Sequence, residues 1–281
     1  MKTLGIVAKR GKPEAVLLAQ EIRARYPDKL MLADPRSAEA LGWDAVEPER
    51  LAEQAELLIV LGGDGTLIHA ARLARGRKVP ILGVNLGTLG FLTEVPHQEL
   101  FPTLDEVLAG RITLEPRMKL SCRLVRGGEV IVEDEVLNDV VLNRGALARI
   151  ADHETFVNGT YVTTYKSDGV VLATPTGSTA YGLSAGGPII HPALDCMLVA
   201  PICPHTLNQR PIVVPGDLTV RIALKSEAAD VYLTLDGQSG HELRLGDQVE
   251  VTRSPHSAWL VRNPQQDYFS ILRQKLHWGE R

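Results

Sequence analysis

With 281 residues, 44% of them hydrophobic and 23% charged, the chain has apolar surface for two domain cores and the charge content of an ordinary globular protein. The net charge of -4 excludes the basic excess of a nucleic-acid binder, and the sequence carries no polybasic membrane tether. The three cysteines, Cys122, Cys196 and Cys203, are too few and too widely spaced for a disulfide framework or a zinc site, and no apolar run nears the roughly 18 residues of a membrane span.

Residues 4–8 form a short apolar strand, and Pro13 opens a helix over residues 14–26 with Ala15, Leu18, Ala19 and Ile22 at helical spacing. Residues 57–61, LLIVL, read as a strand buried on both faces. Residues 67–74 form the next helix, ending at Gly76, and residues 79–84 another buried strand. Strands alternating with helices predict a parallel sheet with helices on its faces. The rhythm changes near Met118. Runs at 120–125 and 130–136 flank Gly127-Gly128, and runs at 156–157 and 161–164 flank Asn158-Gly159, both hairpin signals. Further β-type runs follow at 169–173, 212–214, 218–224, 231–235 and 248–251, predicting a mostly antiparallel sandwich or barrel. Residues 268–276 are helical again, with Phe269, Leu272 and Leu276 on one face, and are expected to pack on the α/β half.

Chemistry concentrates in glycine-rich and polar segments. Gly62-Gly63-Asp64-Gly65-Thr66 lies between the LLIVL strand and a helix, a geometry that gathers backbone N–H groups for phosphate. A carboxylate in that place repels phosphate unless it orients a hydroxyl that attacks the phosphate or helps hold a divalent cation. The alternative is a plain turn with Asp64 capping the helix. Residues 85–91, NLGTLGF, follow the next buried strand, which puts both glycine loops at the carboxyl edge of one sheet; Phe91 suits stacking on a base or a place in the core. Asn138-Asp139 is a polar pair in an apolar stretch, able to read an adenine edge and a ribose, or to form a bulge. Asp168 precedes the hydroxyl-rich run from Thr174 to Pro188. This run contains a formal GxSxG at Gly182–Gly186, discounted as a serine nucleophile because no buried strand leads into it. His69 stands five residues after Asp64, facing phosphate or solvent, and His205 and Asp236-Gly237-Gln238 add polar groups near strand ends.

Together GGDGT, GVNLGTLGFLTE, LND, DGVVLATPTGSTAYGLSAGGP, ICPHTL and LDGQ, in that order over residues 57–240, resemble the NAD kinase family. The resemblance implies a Rossmann-like α/β domain over residues 1–115, a mostly antiparallel β-sandwich domain over 116–262, and a segment, 263–281, returning to the first. It implies transfer of a phosphoryl group from ATP, another nucleoside triphosphate or polyphosphate to the 2′-hydroxyl of the adenosine ribose of NAD, with Asp64 as proton acceptor and substrate-bound Mg²⁺. Gly62, Gly63, Gly65, Thr66 and His69 would serve the phosphates. Phe91, Asn138, Thr179 and Tyr181 would surround the adenine, and Asp139 would hold the ribose. Asp168, Ala180, Ser184 and Gln238 would complete the site, with Arg149 and Lys166 as further NAD contacts. No dedicated metal-ligand set is implied. A cytoplasmic homodimer or homotetramer is expected, with neither nucleic-acid nor membrane partner. The rivals are a lipid kinase sharing GGDGT and a non-catalytic dinucleotide sensor.

Overall fold

The computed structural model describes residues 1–281 except 75, 146–149, 207, 226–229 and 280–281. The chain divides into two compact units, Met1–Pro116 with Ala258–Arg281, and Arg117–Ser257.

The first unit begins β1 (Thr3–Ala8), α1 (Pro13–Arg25), β2 (Leu30–Ala33), α2 (Pro35–Leu41), α3 (Pro48–Gln54), β3 (Leu57–Gly62), α4 (Asp64–Leu73), β4 (Pro80–Asn85), β5 (Val95–Pro96) and α5 (Leu100–Leu108). Its strands run parallel in the order β2-β1-β3-β4. All six residues of β3 are buried, as its unbroken apolar run requires with helices on both faces. Leu4, Ile6, Ile59 and Leu61 meet Ala15, Ala19 and Ile22 of α1 in one core. The opposite face carries Gly5 and Gly83, against Leu51 of α3 and Leu67 of α4. Helix starts follow local chemistry: Pro occupies the first turn of α1, α2 and α3, and Asp34 caps α2 by accepting from Arg36 N and Ser37 N.

Among its described residues, the regular structure of the second unit is strands apart from one short helix and a 3₁₀ turn. It comprises most of β6 (Leu114–Arg126), then β7 (Glu129–Val136), β8 (Asp139–Arg144), β9 (Ala151–Val157), β10 (Thr160–Ser167), β11 (Gly169–Ala173), α6 (Tyr181–Ser184), β12 (Cys196–Ile202), β13 (Ile212–Pro215), β14 (Val220–Leu224), β15 (Val231–Leu235), β16 (Ser239–Leu243) and the first part of β17 (Gln248–Val261). One antiparallel sheet has the order β13-β12-β11-β8-β15-β16, and its residues share a core with β6, β9, β10, β14 and β17. Both hairpins form where the sequence places them: Gly127 and Gly128 turn β6 into β7, and Asn158 and Gly159 turn β9 into β10, all four with positive φ.

β17 is longer than the expected 248–251. Its last residues pair in parallel with β4, Trp259 opposite Pro80 and Leu260 opposite Ile81. The final helix, α7 (Tyr268–Leu276), starts at a capping box between Asp267 and Ser270 and belongs to the first unit. Its inward face meets the expectation in part: Leu272 is buried, but Ile271 is buried beside it and Phe269 is 57% exposed.

Candidate active site

In the first unit, α4 begins earlier than its apolar spacing suggests, so Asp64 is its first residue and Gly63 its cap. The Asp64 side chain turns back onto the second glycine loop. Oδ1 accepts from Leu92 N at 3.1 Å, Thr93 N at 3.0 Å and Thr93 Oγ1 at 3.1 Å; Oδ2 accepts from Phe91 N at 2.8 Å. Gly90 makes this approach possible, since a Cβ there would overlap Asp64 Oδ1. Asn85 fixes the start of the same loop: its Oδ1 accepts from Gly87 N at 2.6 Å and its Nδ2 donates to Thr88 O at 2.7 Å. Leu86 N donates to Gly62 O at 3.2 Å, joining the two loops. Gly62, Gly63, Gly65, Thr66 and Phe91 thus gather around Asp64. A Cβ on Gly63 or Gly65 would meet no atom within 4 Å, so the space over that turn is open to a ligand.

His69 is engaged elsewhere. Its Nε2 lies 3.1 Å from Oδ2 of Asp34, the buried cap of α2. Burial works to raise the Asp34 carboxyl, but hydrogen bonds from His69 and Ser37 outweigh it and hold the group below the usual range.

In the second unit, Asn138, Asp139, Val141, Asn143, Ala180, Tyr181, Thr234, Asp236 and Gly237 line a cavity of about 420 Å³, within the range of small-ligand sites. The polar pair straddles the start of a strand: Asn138 lies in the bend between β7 and β8, and Asp139 is the first residue of β8. Both sides of the bend are pinned. Asp236 accepts from Leu137 N at 2.9 Å, Asn138 N at 2.7 Å and Asp139 N at 3.2 Å. Thr174 Oγ1 donates to Leu137 O at 2.6 Å and accepts from Gly177 N at 3.0 Å. Asn138 Oδ1 is buried with no hydrogen-bond partner among the described residues, an acceptor awaiting a donor. Burial, and then the neighbouring Asp236 charge, push the Asp139 carboxyl up to about 7.

Thr179 ends the short 3₁₀ turn before α6, its Oγ1 donating to Thr176 O at 3.1 Å. Tyr181 is 37% exposed, and burial raises its phenol above the ordinary value. Ser184 is exposed at the end of α6, a four-residue helix preceded by a 3₁₀ turn, unlike a nucleophile elbow. Asp168 Oδ1 accepts from Arg144 Nε at 2.7 Å. Lys166 is exposed on β10, and Gln238 is half-buried beside the cavity residue Gly237. Arg149 lies outside the described residues. Asp34, Arg144, Asn143 and Thr234 carried no motif; only Asp34, wedged between an apolar run and Pro35, had a local signal, that of a helix cap.

One unit offers an open glycine turn beside a fixed carboxylate; the other offers a cavity with an unmet acceptor and a buried acid. Both suit nucleotides, and the class they define is a nucleotide-handling phosphotransferase. Family comparison narrows this. Residues 4–112 match the ATP-NAD kinase N-terminal domain and residues 137–263 the ATP-NAD kinase C-terminal domain. The chain is 51% identical to the NAD kinase of Geotalea daltonii and 50% identical to that of Geobacter metallireducens, each aligned over 100% of both chains. Yeast NADH kinase, solved in complex with NADH, superposes with a TM-score of 0.93 at 26% identity, covering 100% of this chain and 89% of that one. An Archaeoglobus fulgidus NAD kinase in complex with ATP shares the fold, with a TM-score of 0.77 at 23% identity over 97% of this chain and 99% of that one. The chain belongs to the NAD kinase family.

Proposed function

We propose that this chain transfers the terminal phosphoryl group of ATP to the 2′-hydroxyl of the adenosine ribose of NAD, yielding NADP and ADP. The observation that carries the mechanism is the uneven loading of Asp64. A carboxylate oxygen has about two lone-pair directions. Three donors saturate Oδ1, whereas Oδ2 receives one and keeps capacity for another. In our reading Oδ2 orients the 2′-hydroxyl and takes its proton as the new O–P bond forms and the bond from γ-phosphorus to the β–γ bridging oxygen breaks. A carboxylate is a weak base towards a neutral hydroxyl, so positioning contributes more than basicity.

Gly62, Gly63, Gly65 and Thr66 receive the phosphates over the open turn. Asn138 Oδ1 accepts from the adenine amine, which answers its missing partner. Asp139 accepts from ribose hydroxyls once ionised. Phe91, Thr179, Ala180 and Tyr181 frame the base, and Asp168, Lys166, Ser184 and Gln238 the rest of the dinucleotide. A divalent cation, Mg²⁺ in this reading, arrives on the donor and neutralises its phosphates. Exposed Tyr161 and Val162 on the edge strand β10 support a homo-oligomer, and three free cysteines suit a reducing cytoplasm. No helix among the described residues is long and apolar enough to cross a membrane.

The test is direct: purified protein, NAD, ATP and Mg²⁺, with product read by an NADP-specific dehydrogenase. NADP formation that requires both substrates is expected. ATP consumption without NADP, or no consumption at all, overturns the proposal.

A further inference from the structure

We infer that Lys9 and Lys12, on the loop after β1, bind the phosphate chain of the phosphoryl donor; this deepens the donor side of the proposed reaction and rests on that reading.

The sheet order β2-β1-β3-β4 places a switch point between β1 and β3. From β1 the chain leaves through α1 towards β2, with α1 packed on the face that carries Leu4, Ile6 and Leu61. From β3 it leaves through α4 towards β4, and Leu67 of α4 packs at Gly83 on the other face. The two loops therefore diverge to opposite sides at the carboxyl ends of adjacent strands. In open α/β sheets that divergence opens the crevice where ligands bind. One wall is the Gly62–Thr66 turn. The other is Lys9-Arg10-Gly11-Lys12.

The two loops touch. Lys9 N donates to Leu61 O at 2.9 Å, extending the pairing of β1 with β3 by one residue. A Cβ on Gly62 would stand 3.1 Å from the Lys9 Cβ, so the root of the lysine side chain lies beside the glycine turn. The charges at this edge then sort themselves. His69 is committed to Asp34, and Arg10 pairs with Glu39 at 3.0 Å. Lys9 is exposed and Lys12 half-buried, and neither has a carboxylate partner among the described residues. Two lysines without a carboxylate partner on one loop, beside a turn whose Gly63 and Gly65 leave open space, suit a run of phosphates. That chemistry is shared by nucleoside triphosphates and inorganic polyphosphate. The assignment also moves the cationic role away from His69, where the family resemblance had placed it.

The experiment compares the full chain with Lys9→Met, Lys12→Met, the double variant and the Lys→Arg pair. Calorimetric binding of Mg²⁺·ATP and of tripolyphosphate is measured beside steady-state kinetics. Each Met variant is expected to weaken ATP binding and raise its KM roughly tenfold, as loss of a charge-assisted hydrogen bond does. The KM for NAD should stay within about twofold, and Arg should restore most of the loss, because it keeps the charge. Tripolyphosphate binding to the wild type that falls with the same variants marks a site open to polyphosphate; binding of ATP alone that falls with them marks a nucleotide donor. An unchanged ATP affinity in the double variant overturns the inference, as does a parallel rise in the KM for NAD. Absence of NADP formation by the wild type would fail the proposed function, and calorimetry would still decide the role of the lysines.

Discussion

Asp139→Asn removes a buried acid while keeping its size. In the wild type, burial and then Asp236 push the Asp139 carboxyl from 3.8 up to about 7. Asp236, whose charge adds to the effect of burial, is held in place by three backbone N–H groups that donate to it. Between those two values the folded chain holds a proton on Asp139 that the unfolded chain has released. Stability from this group is therefore full below the unfolded value, falls as pH rises through the window, and stays low above it. At about 1.4 kcal/mol for each unit, the wild type gives up on the order of 4 kcal/mol by neutral to alkaline pH. The amide does not ionise, so the variant escapes this loss and gains a donor towards Asp236. Urea unfolding of both proteins at about pH 5.5 and about pH 8 measures it, and the stability gap in favour of the variant should widen by roughly 2 kcal/mol or more at the higher pH. NAD affinity should move the other way, falling at least roughly tenfold, because an amide oxygen replaces a carboxylate at the ribose. An equal gap at both pH values would refute the buried-proton reasoning.

Two further changes test other parts of the molecule. Gly90→Ala puts a Cβ where Asp64 Oδ1 lies, so the carboxylate or its loop must shift; turnover should fall on the order of a hundredfold, and turnover within about twofold of wild type would contradict the need for close approach. His153 on β9 is fully buried with both ring nitrogens lacking a hydrogen-bond partner among the described residues, and burial holds it down to about 4, so wild-type stability is full above about 6.5 and is lost as pH falls towards 4. His153→Leu should remove up to about 3 kcal/mol of that acid sensitivity in urea unfolding between about pH 4.5 and about pH 7, and an unchanged difference from wild type at both pH values would refute it.

The parts of the fold legible in the sequence are those set by local physics. The LLIVL run, the helix after Pro13 and the glycine turns at 127–128 and 158–159 declare themselves through burial pattern or backbone freedom. β17 was only partly readable, because Pro255 and His256 interrupt an alternation that resumes through Trp259 and Leu260. The site divides in the same way. Asp64 and Asn138-Asp139 stood out as polar residues in glycine or apolar surroundings. Their partners did not, because the link is tertiary: Asp236 reaches a bend about a hundred positions away, and Asp34 takes the imidazole of His69 from another helix. Spacing placed His69 one turn from the phosphate loop but could not show which group it faces.

The measurement that bears most directly on the account is turnover of Asp64→Asn set beside its NAD affinity. Loss of NADP formation by roughly a thousandfold or more, with NAD binding within a few-fold of wild type, is the result expected for a group that orients and deprotonates the attacking hydroxyl. Near-normal turnover would mean that this side chain only ties residues 91–93 in place, and the proposed chemistry would then need another base.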